Sequence, residues 1–282
     1  MSTEALDVVI SFDTTGSMAG VLGQVRKRSK ELVERLFKEI PELRVGVMAH
    51  GDYSDAKTKY LLRKVDLTDD KQAVLKFIKS VPATFGGDSP EAYEYALHEA
   101  RSLAWRDGVG RVLVVIGDEV PHGKNYKGNK DHLDWRVELQ ALADAGVKIY
   151  GVQAHGTDAK AKKFYQTLAD KSGGTYLTLG DFKTAADLLA GIAMRERGEE
   201  DLSRYAREVA AARRMDVGLR GAYEAMLGRA LTAEEGGEVE AGTEATATEG
   251  DEATAPPKRR RAARKAAKKP AAKKPSKRTA AK

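Results

Sequence analysis

The chain has 282 residues, 41% apolar and 32% charged, with no cysteine and a net charge of +6. No run approaches the roughly 20 apolar residues of a membrane-spanning helix, and without thiols neither disulfides nor thiolate metal sites are available. The net charge conceals an asymmetry: residues 258–282 carry thirteen Lys and Arg and no acid, residues 233–257 carry eight acids and no base, and with both segments set aside residues 1–232 stand at about +1. The basic character therefore belongs to a tail.

The chain opens MSTEALDVVISF, with no basic region, apolar core and small-residue cleavage site in succession, which reads as a mature, cytoplasmic N-terminus. Strand-like apolar runs then occur at 7–12, 44–50, 58–67, 111–117, 148–154 and 174–180. Several are apolar on both faces, as buried parallel strands require. Between them, helical periodicity marks 21–39, 70–80, 90–105, 132–145, 159–171 and 181–193. The 58–67 run follows its predecessor after a short polar link and reads as an antiparallel edge partner. This alternation predicts an α/β fold: a doubly wound, mostly parallel six-stranded sheet, Rossmann-like, with helices on both faces.

Residues 199–231 are rich in Ala, Arg and Glu and predict one or two further helices, interrupted at Gly218, Gly221 and Gly228. After Thr232 the sequence lacks large apolar side chains and is expected to be disordered. The predicted organisation is a sheet domain over 1–197, a helical extension over 198–232, an acidic linker over 233–257 and a basic tail over 258–282.

In an open α/β sheet, ligands bind beyond the carboxyl ends of the strands. Three segments there carry unusual chemistry: Asp13-Thr14-Thr15-Gly16-Ser17 after the first strand, Gly117-Asp118-Glu119 after the fourth, and the loop Thr84-Phe85-Gly86-Gly87-Asp88-Ser89-Pro90-Glu91. Their donors are all oxygen, which suits Mg²⁺, Mn²⁺ or Ca²⁺. In Asp13-x-Thr15-x-Ser17 alternate side chains can face one crevice as strand turns into helix, and two neutral hydroxyls leave a bound cation enough charge to attract an outside carboxylate. The simpler alternatives are local. Asp13, Thr15 and Ser17 would also cap the following helix, Asp52 would close the GDYSD turn, and Asp88 would cap a helix with Pro90 at its first position. Glu119 reads as a solvated neighbour, Thr84 as a substitute hydroxyl ligand, and His50, His122 and His155 as surface residues near strand ends.

DTTGSM resembles the Asp-x-Ser-x-Ser metal-ion-dependent adhesion site of von Willebrand factor A domains, with Thr15 in place of the first serine. GGDSPEA is similar to the Asp-x-Pro-Glu loop found in the A-like domains of integrin β polypeptides and in bacterial A domains. The resemblance covers about residues 7–194. It implies a Mg²⁺ or Mn²⁺ site of Asp13, Thr15, Ser17, Glu91 and Asp118, and a protein partner that presents an exposed Asp or Glu. RVGVMAHGD resembles the integrin strand that ends in a calcium ligand, which implies a second site of Asp52, Asp88, Pro90 and Glu91 holding Ca²⁺. The asparagine that this second site would take two residues before Asp88 is Gly86 here, and a third integrin site has no counterpart at Gly20 and Val21.

The rival reading is an aspartyl-phosphate enzyme of the haloacid-dehalogenase type, because ISFDTTGSM superficially fits its Asp-x-x-Gly-Thr motif. That chemistry needs a phosphate-binding lysine and a second acid pair, and VPHGK follows IGDE where the pair belongs. No GxGxxG or GxxxxGK[ST] is present. The expectation is a non-enzymatic binding protein.

The tail resembles linker-histone C-terminal tails. Its Lys258, Arg259, Arg260, Arg261, Arg264, Lys265, Lys268, Lys269, Lys273, Lys274, Lys277 and Arg278 suit the phosphate backbone of DNA or RNA. With no aromatic residues it offers no base-reading surface, so binding would be independent of sequence. A nucleoid-associated protein, or an architectural protein dominated by this tail, is the corresponding expectation.

Overall fold

In the computed structural model, the described residues are 5–87, 89–156, 158–179 and 182–237. Six strands, β1 (Leu6–Asp13), β2 (Leu43–His50), β3 (Leu62–Thr68), β4 (Gly110–Gly117), β5 (Val147–Ala154) and β6 (Tyr176–Leu179), form one sheet in the order β3-β2-β1-β4-β5-β6. Every pairing is parallel except β2 with β3. β1 lies inside the sheet and is buried at all eight positions, the polar Asp7, Ser11 and Asp13 included.

Helices cover both faces. Val8, Ile10 and Phe12 share one core with α1 (Ala19–Glu39), α2 (Lys71–Ser80) and α6 (Ala185–Arg197). Val9 points the other way, as strand periodicity requires, into a second core with α3 (Tyr93–Arg101), α4 (Trp135–Asp144) and α5 (Ala159–Ser172). Aspartates cap three of these helices: Asp70 for α2, Asp134 for α4 and Asp158 for α5. No described helix is long and apolar enough to cross a membrane.

The edge hairpin starts later than the 58–67 pattern suggests. Asp55 O accepts from Thr58 N and Lys59 N, and Tyr60 turns inward, its hydroxyl 2.7 Å from the Pro82 carbonyl and 2.8 Å from Thr14 Oγ1, so pairing begins only at Leu62. The helix expected from Pro90 begins at Tyr93 instead, because Glu91 forms an isolated parallel bridge with Pro121. Pro90 is therefore not a first helical residue.

Beyond the sheet domain, α7 (Glu199–Ala211) and α8 (Val217–Leu227) extend the first core. Buried Asp187 on α6 joins them: it accepts from Tyr205 at 2.9 Å, pairs with Arg214, and lies 3.4 Å from Arg28 of α1. Tyr223 donates to its carbonyl at 2.8 Å. Gly218 and Gly221 lie within α8, contrary to expectation, and Gly228 ends it in a left-handed conformation. Regular structure also continues past Thr232 into α9 (Ala233–Gly236). A Thr232–Glu235 capping box holds that turn, and Arg229 grips the Glu235 carboxylate through two bonds of 2.8 and 2.9 Å. The Lys258–Lys282 tail and most of the acidic segment lie outside the described residues.

At the amino edge of the sheet, Asp7 is fully buried and receives Arg44 through bonds of 3.0 and 2.7 Å and Arg106 through 2.8 and 2.9 Å. Burial alone would raise its pKa, but the Arg44 and Arg106 donors outweigh burial and hold it below the ordinary value. Its stabilising contribution is thus present above the unfolded value of about 3.9 and is lost as pH falls through the lower folded value. Asp7→Asn should cost about 2–4 kcal/mol in urea unfolding at neutral pH, toward the lower end of buried-pair losses because both arginines reach solvent. It should also make stability less steeply dependent on acid. An unchanged midpoint would show that the pair contributes nothing net.

Candidate functional site

β1 ends at Asp13 in the sheet interior, 1% exposed. There the chain leaves the sheet: Thr14 N and Thr14 Oγ1 both donate to the His50 carbonyl at the end of β2, at 2.9 and 2.8 Å. Thr15 turns back, and its amide and its hydroxyl each donate to Asp13 Oδ1 at 2.7 Å. Gly16–Met18 then form a single 3₁₀ turn before α1. Neither Thr15 nor Met18 makes a side-chain cap on the helical segment that follows it, so the Thr15 hydroxyl is spent on Asp13 rather than on a cap.

The other Asp13 oxygen is held from below. Tyr93 on α3 donates to Asp13 Oδ2 at 2.9 Å, and Tyr165 on α5 donates to the Tyr93 hydroxyl at 3.0 Å. Both tyrosines are fully buried. Their hydroxyls meet beneath Gly117, the last residue of β4, where a Cβ would stand 1.8 Å from the Tyr93 oxygen and 2.6 Å from that of Tyr165. A glycine is required there for space alone.

The remaining expected residues converge on the same edge. Thr15, Ser17 and Glu91 line one cavity of about 380 Å³ together with Glu119. Ser17 hydrogen-bonds to the Asp118 side chain. Glu91 is 4% exposed and its Oε2 has no hydrogen-bond partner, as is also true of Asp118 Oδ1. Burial, then the charges of Asp13, Asp52, Asp55 and Glu119, push the Glu91 carboxyl up to about 10. Asp13 is raised by burial against its Thr15 and Tyr93 donors, and Asp118 by burial against its Ser17 contact. Orphaned buried oxygens and carboxylates driven toward protonation by one another are what a missing positive charge produces. The residues present fit a hard divalent cation. Among the described residues no three Asp, Glu or His side chains form a ligand cluster by themselves; the donor set at this edge depends on the two hydroxyls as well.

The second expected set is arranged differently. Asp52 caps the Tyr53–Asp55 turn through Ser54 N, as the turn reading anticipates, and its other oxygen lies 2.6 Å from His122 Nε2. Burial would raise this carboxyl, but His122 and Ser54 hold it at about 2. Asp88 lies outside the described residues, and Pro90 is only half-buried beside the loop. Gly86 has φ +73°, and a Cβ on it would stand 2.6 Å from Glu91 Oε1, so a larger residue there would displace the glutamate.

Several subsidiary readings need correction. His50 and His122 are buried rather than superficial, and burial drives His50 down to about 3. His155 is exposed, with its ring 3.2 Å from the Ser17 carbonyl. Thr84 Oγ1 is engaged with Thr14 Oγ1 at 3.1 Å, which leaves it poorly placed as a substitute ligand. Glu119 is a half-buried wall of the cavity rather than a solvated neighbour. Tyr93, Tyr165 and Asp55 have no sequence signal, because each acts on a residue 30 or more positions away. A larger cavity, about 570 Å³, lies between the start of β5 and α7, but its charges pair with each other, as in Lys148–Glu196 and Arg197–Asp201.

The von Willebrand factor type A domain model matches residues 7–191. The "Alpha-protein kinase vwkA" of Dictyostelium discoideum is 24% identical over 132 residues, 46% of this chain and 21% of that protein; the match thus spans about a fifth of the relative's length. The pilus adhesin SpaC from Lactobacillus rhamnosus GG, solved in an open conformation, shares the fold at 15% identity and a TM-score of 0.52, over 73% of this chain and 31% of its own. BatB from Bacteroides thetaiotaomicron aligns at 19% identity and a TM-score of 0.46, over 72% of this chain and 100% of its own.

Tyr93→Phe should lower stability by about 1–3 kcal/mol, the cost of leaving a buried acceptor without its donor. Gly117→Ala should be worse, since the added methyl must displace both hydroxyls. Chemical denaturation reads both. Wild-type midpoints in both variants would mean that the tyrosine pair does not support Asp13.

Proposed function

This chain belongs to the von Willebrand factor type A domain family, and we propose that it is a non-enzymatic binding protein that grips an acidic residue of a partner protein through a divalent cation. The observation that carries this reading is the pair of orphaned buried oxygens, Glu91 Oε2 and Asp118 Oδ1, in a carboxylate cluster for which no Lys or Arg ion pair is found among the described residues. Asp13, Thr15, Ser17, Glu91 and Asp118 would hold Mg²⁺ or Mn²⁺, and the cation supplies an electropositive point within reach of an outside carboxylate. The chain's own residues do the orienting. Tyr93 fixes one Asp13 oxygen, Thr15 the other, and the neutral hydroxyls of Thr15 and Ser17 limit how much charge is offset.

We do not extend the proposal to a neighbouring Ca²⁺. Gly86 brings no side chain where the second site would take its asparagine.

The second part of the proposal concerns the tail. Thirteen cations within residues 258–282, against a body near neutrality, favour non-specific binding to the phosphate backbone of DNA or RNA. A cytoplasmic, nucleoid-associated site of action is what this implies.

Two outcomes are expected. Saturating Mg²⁺ should raise the melting temperature by several degrees, because a ligand at a hundred times its Kd stabilises the folded state by about 2.7 kcal/mol. Asp13→Ala should abolish the rise, together with any EDTA-sensitive capture of a partner. Absence of Mg²⁺ and Mn²⁺ binding at millimolar concentration would defeat the cation reading. Separately, a chain lacking residues 258–282 should lose duplex binding while keeping its melting temperature. For the whole chain, the slope of log affinity against log salt should approach, without reaching, about −0.9 per tail charge. Undiminished binding by the truncated chain at physiological salt would move the nucleic-acid site into the body.

A further inference from the structure

Phe85 is the large apolar side chain left in water at the rim of the candidate site. It is 72% exposed, and it lines the same cavity as Thr15, Ser17 and Glu91. Slack in the loop does not account for this exposure. Thr84 N donates to the Thr14 carbonyl at 2.9 Å, which fixes the loop to the end of β1. Immediately after it, the amides of Phe85 and Gly86 both donate to the buried Asp55 carboxylate, the second at 2.8 Å. The Phe85 carbonyl lies 3.5 Å from where a Gly16 Cβ would stand. Backbone anchors on either side therefore hold the segment from which the ring projects. Lys59 Nζ stands 5.2 Å from the ring centroid and adds positive charge beside it.

We propose that Phe85 is a specificity-determining platform: the partner segment carries, within one or two residues of its coordinating Asp or Glu, a large aliphatic or aromatic side chain that packs on this ring. The inference rests on the carboxylate-binding reading above. Consecutive Cα atoms are about 3.8 Å apart, so a neighbour of a residue whose carboxylate enters the cavity falls within reach of its rim. Aromatic side chains in such positions are common anchors of recognition, since they bury large apolar area with few rotatable bonds. Lys59 favours the same acidic partner, because its ammonium, like a cation held at the site, attracts negative charge. A basic or wholly polar partner would leave the ring uncovered and oppose Lys59.

The test uses the full chain immobilised on beads and a soluble peptide library with one fixed Asp and randomised flanking positions, loaded with Mg²⁺ at salt high enough to suppress tail binding and eluted with EDTA. Sequencing the eluate should show several-fold enrichment of Leu, Ile, Phe or Trp next to the Asp. Phe85→Ser should erase that enrichment while Mg²⁺ affinity, read by calorimetry without peptide, stays within twofold of the unsubstituted chain. Equal enrichment by Phe85→Ser, or flanks without apolar preference in the unsubstituted chain, would overturn the platform and leave the carboxylate reading standing. Failure of every Asp peptide to elute with EDTA would overturn the carboxylate reading and the platform with it. Enrichment of Lys or Arg flanks would contradict the role given to Lys59 and the ring.

Discussion

The burial of the Asp13 carboxylate at the centre of a parallel sheet is the costly step around which the carboxyl edge of this molecule is arranged. Four oxygen-directed donors or neighbours are built to meet it. Thr15 supplies two, Tyr93 supplies a third, and Tyr165 orients Tyr93. None carries charge. The edge accordingly satisfies the hydrogen-bonding needs of Asp13 and leaves its electrostatic need, shared with Glu91 and Asp118, unmet. At the opposite edge Asp7 is buried just as deeply, yet two arginines neutralise it. One strand thus carries an acid paired with two arginines at its start and an acid met only by neutral donors at its end, and the contrast marks the candidate edge without reference to any motif.

The loops around Asp13 are held by the same economy of polar contacts. Asp55 and Asp52 are both buried acids, and each is committed to structure: Asp55 to the Phe85 and Gly86 amides, Asp52 to Ser54 and His122. His122 stacks on Tyr126 at 3.7 Å, which seats the imidazole over the Asp52 turn. Glycines complete the arrangement where side chains would collide, Gly117 above the tyrosine hydroxyls and Gly86 against Glu91. The cavity is therefore bounded by fixed backbone on the loop side. Pre-organisation of this kind lowers the ordering cost of capturing a ligand.

Much of the fold is legible in the sequence, because strands buried on both faces leave predominantly apolar runs. β1, β2, β4 and β5 fall within a residue or so of the apolar patterns at 7–12, 44–50, 111–117 and 148–154. The von Willebrand factor A family follows from DTTGSM and GGDSPEA, and the family match over residues 7–191 agrees. What is hidden depends on distant partners. Nothing near Tyr93 announces a bond to a residue 80 positions earlier, and nothing near His122 announces Asp52, 70 positions away. The same holds for Glu91, whose pairing with Pro121 removes Pro90–Ala92 from the helix that local pattern favours. The α9 turn is a different case. Its signal, Thr232 followed three residues later by Glu235, is local, but it sits at the head of a segment whose composition otherwise argues against structure.

Anomalous diffraction from crystals grown with Mn²⁺ would read the cation directly. A single strong peak bounded by Asp13, Thr15, Ser17, Glu91 and Asp118 is expected, with Glu91 Oε2 and Asp118 Oδ1 turned toward it. A peak elsewhere, or none at Mn²⁺ concentrations well above millimolar with these five side chains ordered as they are without metal, would contradict the cation reading.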